Sequence, residues 1–170
     1  MKGSETIDEI YRRGDMAALR RALNDPPDFP NCIQPAALGV SDTPLEHAIY
    51  WSPLTFVSAL LDLGADPNYS DDAGFPSLLA ALSTDRADKL ELLTLLLDRG
   101  ADIQQRGLND WTPLHHAVAL RDWQSIALLL DRGADPAART RIDDCTTPLE
   151  DAQRIGFAEA VAMIEEAARR

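Results

Sequence analysis

The sequence is poor in cysteine, lysine, long apolar runs and catalytic signatures, and each shortage excludes something. Its two cysteines, Cys32 and Cys145, are far apart and fall in different repeats of the pattern set out below. That argues against a disulfide framework and for the reducing cytoplasm. No stretch approaches about 18 consecutive apolar residues, so no membrane span is predicted. Met1 to Ile10 carries Glu5, Asp8 and Glu9 without an apolar core, unlike a secretory signal. Lysine and arginine total 16 against 28 aspartates and glutamates, a net charge of -12. Such a balance opposes nucleic acid and anionic lipid as partners and favours a basic protein surface. The only lysines are Lys2 and Lys89, a usage that points to a GC-rich, bacterial genome. There is no Gly-rich phosphate loop, H-E-x-x-H, C-x-x-C or G-x-S-x-G, and Cys145 has no activating arrangement. His47, His115 and His116 do not share a helix face at metal-ligand spacing. Neither catalysis nor a cofactor is therefore expected.

What is present is ordinary for one folded domain, with 45% hydrophobic and 26% charged residues. Its organising stretch is Asp110 to Asp135. Thr112 is placed to cap a helix whose first turn holds Pro113, where a missing amide hydrogen costs nothing. Leu114, Ala117 and Val118 recur at helical spacing, Arg121-Asp122 interrupts, and Ile126, Leu128, Leu129 and Leu130 form a second apolar face. Gly133 can adopt the left-handed conformation that ends the second helix. A pair this small cannot bury its own apolar face and needs neighbours of the same shape.

The neighbours recur along the chain. Leu45, Leu78, Leu114 and Leu149 are separated by 33, 36 and 35 residues, and Gly64, Gly100 and Gly133 of three G-A-D triplets by 36 and 33. The extra residues lie near Ser83 to Asp88 and near Thr140 to Asp144. A period of 33 with T-P-L-H-x-A and G-A-D resembles the ankyrin repeat over nearly the whole chain. The resemblance implies an all-α solenoid of stacked helix-turn-helix units joined by hairpin-like loops. One domain over 1–170 divides into a diverged N-terminal capping repeat at 1–38, repeats at 39–71, 72–107 and 108–142, and a C-terminal capping repeat at 143–170.

Finer expectations follow from this register. Asp28 matches the aspartate of G-A-D, and Arg12, Arg13, Arg20 and Arg21 give the first unit a polar outer face. The first connection, from Pro26 to Pro44, is five residues longer than the others and is either an irregular surface loop or a contact loop. The helix holding Leu90, Leu92, Leu93, Leu95, Leu96 and Leu97 is predicted to be the best buried. Phe75-Pro76-Ser77 stands where x-T-P would stand, so that helix start should be irregular.

The resemblance also orients the candidate site. In this family the His of T-P-L-H supports the helix start, a part that falls to His115, and the next position, here His116, faces the concave surface. The residue before T-P-L faces it too, which places Phe75 and Trp111 together. With Tyr50, Trp51 and Tyr69 they would form an apolar patch bordered by Asp71, Asp72, Asn109 and Asp110, the composition of a contact hot spot. The alternative is that Phe75 and Trp111 only pack between connections. The pairs Asp71-Asp72 and Asp143-Asp144 fit turn chemistry, with a cation or acid-base site as the other reading. Arg139 to Asp144 carries both signs and can pair with itself.

The function implied is a cytoplasmic, monomeric, non-catalytic module that binds another protein through an acidic, aromatic-centred concave face, as an inhibitor or immunity-type protein would. The alternatives are a passive scaffold and an enzyme using loop aspartates.

Overall fold

The computed structural model describes residues 6–34, 43–69, 75–142 and 144–169. Among them it contains helices and no strand. The α-helices are α1 (Ile7–Arg13), α2 (Met16–Ala22), α3 (Pro44–Trp51), α4 (Leu54–Asp62), α5 (Ser77–Leu82), α6 (Lys89–Asp98), α7 (Pro113–Ala119), α8 (Trp123–Asp131), α9 (Pro148–Arg154) and α10 (Ala158–Ala167), with a short 3-10 turn at Leu108–Asp110. They stack in two layers. The odd-numbered helices touch in sequence, α1 on α3, α3 on α5, α5 on α7 and α7 on α9, while α6, α8 and α10 pack beside one another on the outside.

The recurring sequence words explain the helix ends. Thr43 and Thr147 accept the N–H of Glu46 and Glu150, and Pro44, Pro113 and Pro148 occupy the first turn. Gly64, Gly100 and Gly133 have φ of 92, 89 and 88°, which glycine adopts without strain. The next residue's N–H then returns to the carbonyl five residues back, as from Ala101 to Leu96. The aspartate of G-A-D closes the turn on itself, since Asp66, Asp102 and Asp135 each accept the N–H two residues on at 2.8 Å. Small residues at the layer junction complete the repeat: Ala48, Ala81, Ala117 and Ala152 are fully enclosed. Leu45, Leu78 and Leu114 are buried beside them, whereas Leu149, on the last pair, is only half-buried.

Polar side chains tie one pair to the next. Asn68 donates to the Gly100 carbonyl at 2.9 Å and accepts the Asp102 N–H at 2.6 Å. Asn31 repeats this contact with Gly64 at 3.0 Å and Asp66 at 2.8 Å. On the outer layer Arg99 pairs with Asp62 and Arg132 with Asp98.

Several sequence expectations change here. Asn68 lies two residues beyond Asp66, so the residue equivalent to Asp66 in the first pair is Phe29 rather than Asp28; the Asn31 contacts set the alignment. The first connection is not a loose surface loop over its described part. Tyr11 donates to Gln34 at 2.8 Å in the interior, Cys32 is buried, and Asn31 holds the next turn. Its remainder, 35–42, lies outside the described residues. The best buried helix is α5, all six of whose residues are enclosed, whereas α6 buries only Leu92, Leu93 and Leu96. An inner-layer helix has neighbours on both sides and an outer partner, while an outer-layer helix keeps one face toward solvent. As expected, α5 starts without a side-chain cap, and Ser77 instead donates to the Pro67 carbonyl.

Candidate functional site

The site is built at the start of α7. Thr112 and His115 lock that start: the Nδ1 of His115 accepts the Thr112 N–H at 3.3 Å and lies 2.8 Å from the Thr112 hydroxyl. Its other nitrogen therefore carries the hydrogen and donates to the Thr146 carbonyl at 3.1 Å, joining α7 to the connection before α9. Burial, the largest influence, lowers the His115 pKa, so the neutral ring is favoured. His115 is a structural tie between repeats.

With that start fixed, the preceding Trp111 and the following His116 are held against one another. The two ring centres are 6.0 Å apart, and the Phe75 ring stands edge-on to His116 at 6.1 Å. His116 is buried at 8% exposure, Phe75 and Trp111 are half-buried, and the His116 Nε2 sits 2.9 Å from the Ser83 hydroxyl. Burial, then the positive charge of Lys89, lowers the His116 pKa. Tyr69 is buried, its hydroxyl donating to the Phe75 carbonyl at 3.3 Å. Trp111 also lines a pocket of about 160 Å³ whose other walls include Asn109, Thr140, Ile142, Thr146 and Arg154. It has the size for one side chain and is well below the several hundred Å³ of a small-molecule site.

The predicted patch thus divides. Phe75, Trp111 and His116 come together. Tyr69 holds the Phe75 backbone from the interior and, being buried, offers a partner almost no surface. Tyr50 is half-buried against the core. Trp51, exposed at 51%, sits at the C-terminal end of α3, roughly 10 Å of helix away from the end that faces the connections. There the Arg12 guanidinium covers its ring at 5.2 Å. Asn109 is exposed in a left-handed conformation beside the small pocket.

The acidic border also changes. Asp110 is not a free charge, because its carboxylate accepts the Arg141 N–H at 2.6 Å, the Arg141 Nε at 3.0 Å and the Arg106 Nη1 at 2.8 Å. Hydrogen bonding from Arg141, above all, holds its pKa below the ordinary aspartate value. Arg139 likewise pairs with Glu150, so the arginines of the last connection reach outward to neighbouring elements. Asp71, Asp72 and Asp143 lie outside the described residues. Among the described residues no three His, Cys, Asp or Glu side chains are grouped to hold a metal ion, and no helix is long and apolar enough to cross a membrane. Neither Cys32 nor Cys145 is joined in a disulfide.

Sequence reasoning missed Ser83, Arg106, Arg141 and Ile142 as parts of this face. Their only signal was position: Ser83 opens the insertion of the second repeat, and Arg141-Ile142 lies in that of the last connection. The insertion is clamped to the preceding pair, because Arg86 donates to the Ser52 and Ile49 carbonyls at 2.6 and 3.2 Å while holding Asp88 at 2.7 Å.

The ankyrin repeat family model matches residues 109–141, which include Trp111 and His116. XBAT35 of Arabidopsis thaliana, which carries the name of an E3 ubiquitin-protein ligase, is 34% identical over 64% of this chain and 23% of its own length. The transient receptor potential channel pyrexia of Drosophila melanogaster is 32% identical over 69% of this chain and 12% of its own. Human SH3 and multiple ankyrin repeat domains protein 1 is 37% identical over 50% of this chain and 4% of its own. The chain therefore spans less than a quarter of each, and the three names share no activity.

Proposed function

Because the chain is an ankyrin-repeat protein, and such repeats mediate protein–protein interaction, we propose that it is a non-catalytic module whose partner docks on the Phe75–His116–Trp111 face. One observation carries this reading: two half-buried aromatic rings flank a buried histidine beside a pocket sized for a single side chain. An anchor residue seated in a pocket next to aromatic rings is the arrangement that concentrates binding energy. Ile142, exposed at 49% on the pocket's rim, extends the apolar centre.

The partner proposed is a cytoplasmic protein with a basic surface. The support is the net charge of -12, together with Asp71 and Asp72 in the connection ahead of Phe75; Asp110 adds little, being occupied by Arg106 and Arg141. Covering a basic surface is how such a module, acting as a monomer, would inhibit an effector. The test is parallel capture from the native source on immobilised wild-type protein and on Trp111→Ala. Proteins retained by the first and lost from the second support the reading. Identical retention by a folded Trp111→Ala counts against it.

A further inference from the structure

The hydrogen bonds around His116 leave one of its nitrogens unsatisfied. The Ser83 hydroxyl has a single proton, and it donates that proton to the Leu79 carbonyl at 2.8 Å. At 2.9 Å from His116 Nε2 the same oxygen can then only accept, so Nε2 carries the ring hydrogen. Nδ1 is left as a bare acceptor, out of contact with solvent and with no hydrogen-bond partner among the described residues. The residue is more than nine-tenths buried, with the rings of Phe75 and Trp111 both against it. A buried acceptor without a donor costs free energy, which a ligand that brings the donor recovers.

We propose that His116 Nδ1 is the acceptor for an uncharged hydrogen-bond donor, a hydroxyl or amide N–H, that the protein partner inserts between Phe75 and Trp111. This rests on the reading of that face as the binding surface and adds the chemistry of its central contact. The donor is uncharged for two reasons. Lys89, paired with Asp122 at 3.3 Å, is the charged neighbour that acts on this ring, and its positive charge disfavours a second cation buried beside it. The carboxylate of Asp110, next to Trp111 in the chain, is spent on Arg106 and Arg141 and cannot neutralise an incoming ammonium or guanidinium. A basic partner surface accordingly meets the rim, while the inserted group is neutral. Flanking rings favour a donor carried on an aromatic body, because edge-to-face contact adds to the hydrogen bond.

The test uses the whole chain, labelled with 15N in its histidines, and three soluble probes: phenol, anisole and butylammonium. In the free protein His116 should show one protonated nitrogen and one bare nitrogen. Phenol should move the bare Nδ1 resonance with saturation and bind about fivefold more tightly than anisole, which has no donor, the ratio expected of one neutral hydrogen bond. Butylammonium should bind more weakly than phenol. In His116→Phe, which keeps a ring and removes the acceptor, phenol and anisole should bind alike. Should that variant fail to fold, the comparison in the wild type decides by itself. Equal binding of phenol and anisole to the wild type, tighter binding of butylammonium, or a protonated Nδ1 in the free protein would overturn the donor contact while leaving the face in place. No probe-induced change at either His116 or Trp111 would overturn the face and the contact together.

Discussion

Arg141 encloses the carboxylate of Asp110, giving it both a backbone and a guanidinium hydrogen bond across thirty-one residues of sequence. Asp110 is itself in the left-handed region at φ 58°, so the bond holds a loop conformation that the chain does not favour unaided. Asp110→Ala should therefore destabilise by about 1 to 2 kcal/mol, since it leaves the Arg141 N–H without its acceptor and Arg106 with only the backbone carbonyl of residue 110. Arg141→Ala should cost less, because the backbone bond survives. A urea midpoint for Asp110→Ala equal to that of wild type would show that the two connections are not coupled.

That pair also marks how far the sequence could be read. Thr-Pro-Leu and Gly-Ala-Asp were legible because each word meets a local requirement: a cap, a first-turn proline, a left-handed glycine and an aspartate that closes its own turn. That Phe75 and Trp111 both stand beside His116 was legible because equal register brings equivalent positions of adjacent repeats to one face. Arg141–Asp110 and Ser83–His116 were not, since both depend on insertions whose path no periodicity fixes. Apolar pattern was also a poor guide to burial, because α6 has more leucines than α5 yet sits in the outer layer. Tyr69 and Trp51 shared the composition of the patch but were directed elsewhere by their places on the turn and on α3.

Leu114 and Leu149 occupy the same repeat position in different surroundings, which makes them a paired test. Leu114 is enclosed between neighbours on both sides, and Leu114→Ala should cost about 2 to 5 kcal/mol. Leu149 is half-buried at the end of the stack, and Leu149→Ala should cost roughly half as much. Chemical denaturation of the two variants measures the difference. Equal costs would mean that the last pair is covered as fully as the third.

His115 and His116 both have pKa values lowered by burial from the ordinary 6.5. The folded state therefore binds fewer protons than the unfolded chain. The stability this provides is complete above the ordinary value and is lost as the pH falls through the lowered folded values. Denaturation midpoints should be flat above about pH 7.5 and fall below about pH 6.5, with a slope approaching about 1.4 kcal/mol per pH unit for each histidine. A His115→Gln, His116→Gln double variant should lose this dependence in that interval while keeping the one that carboxylates impose at lower pH. An unchanged slope in the double variant would place the responsible groups elsewhere.

Trp111 separates binding from folding. Its ring touches His116 and forms one wall of the small pocket, but it remains half-buried. Trp111→Ala removes apolar contact and at the same time opens the His116 Nδ1 to water, which would satisfy an acceptor that is now bare. These effects oppose each other, so the net loss of stability should stay near about 1 kcal/mol, small for a tryptophan. The complex has no such compensation. A partner that buries Trp111 at the centre of its contact loses the ring and gains a wet cavity, and affinity should fall by about 2 kcal/mol or more. Calorimetry on the captured partner, with thermal melts of both proteins alone, gives the two numbers independently. A sharp drop in melting temperature with affinity unchanged would make Trp111 a packing residue, and the docking face would have to be sought around the two exposed tryptophans, Trp51 and Trp123.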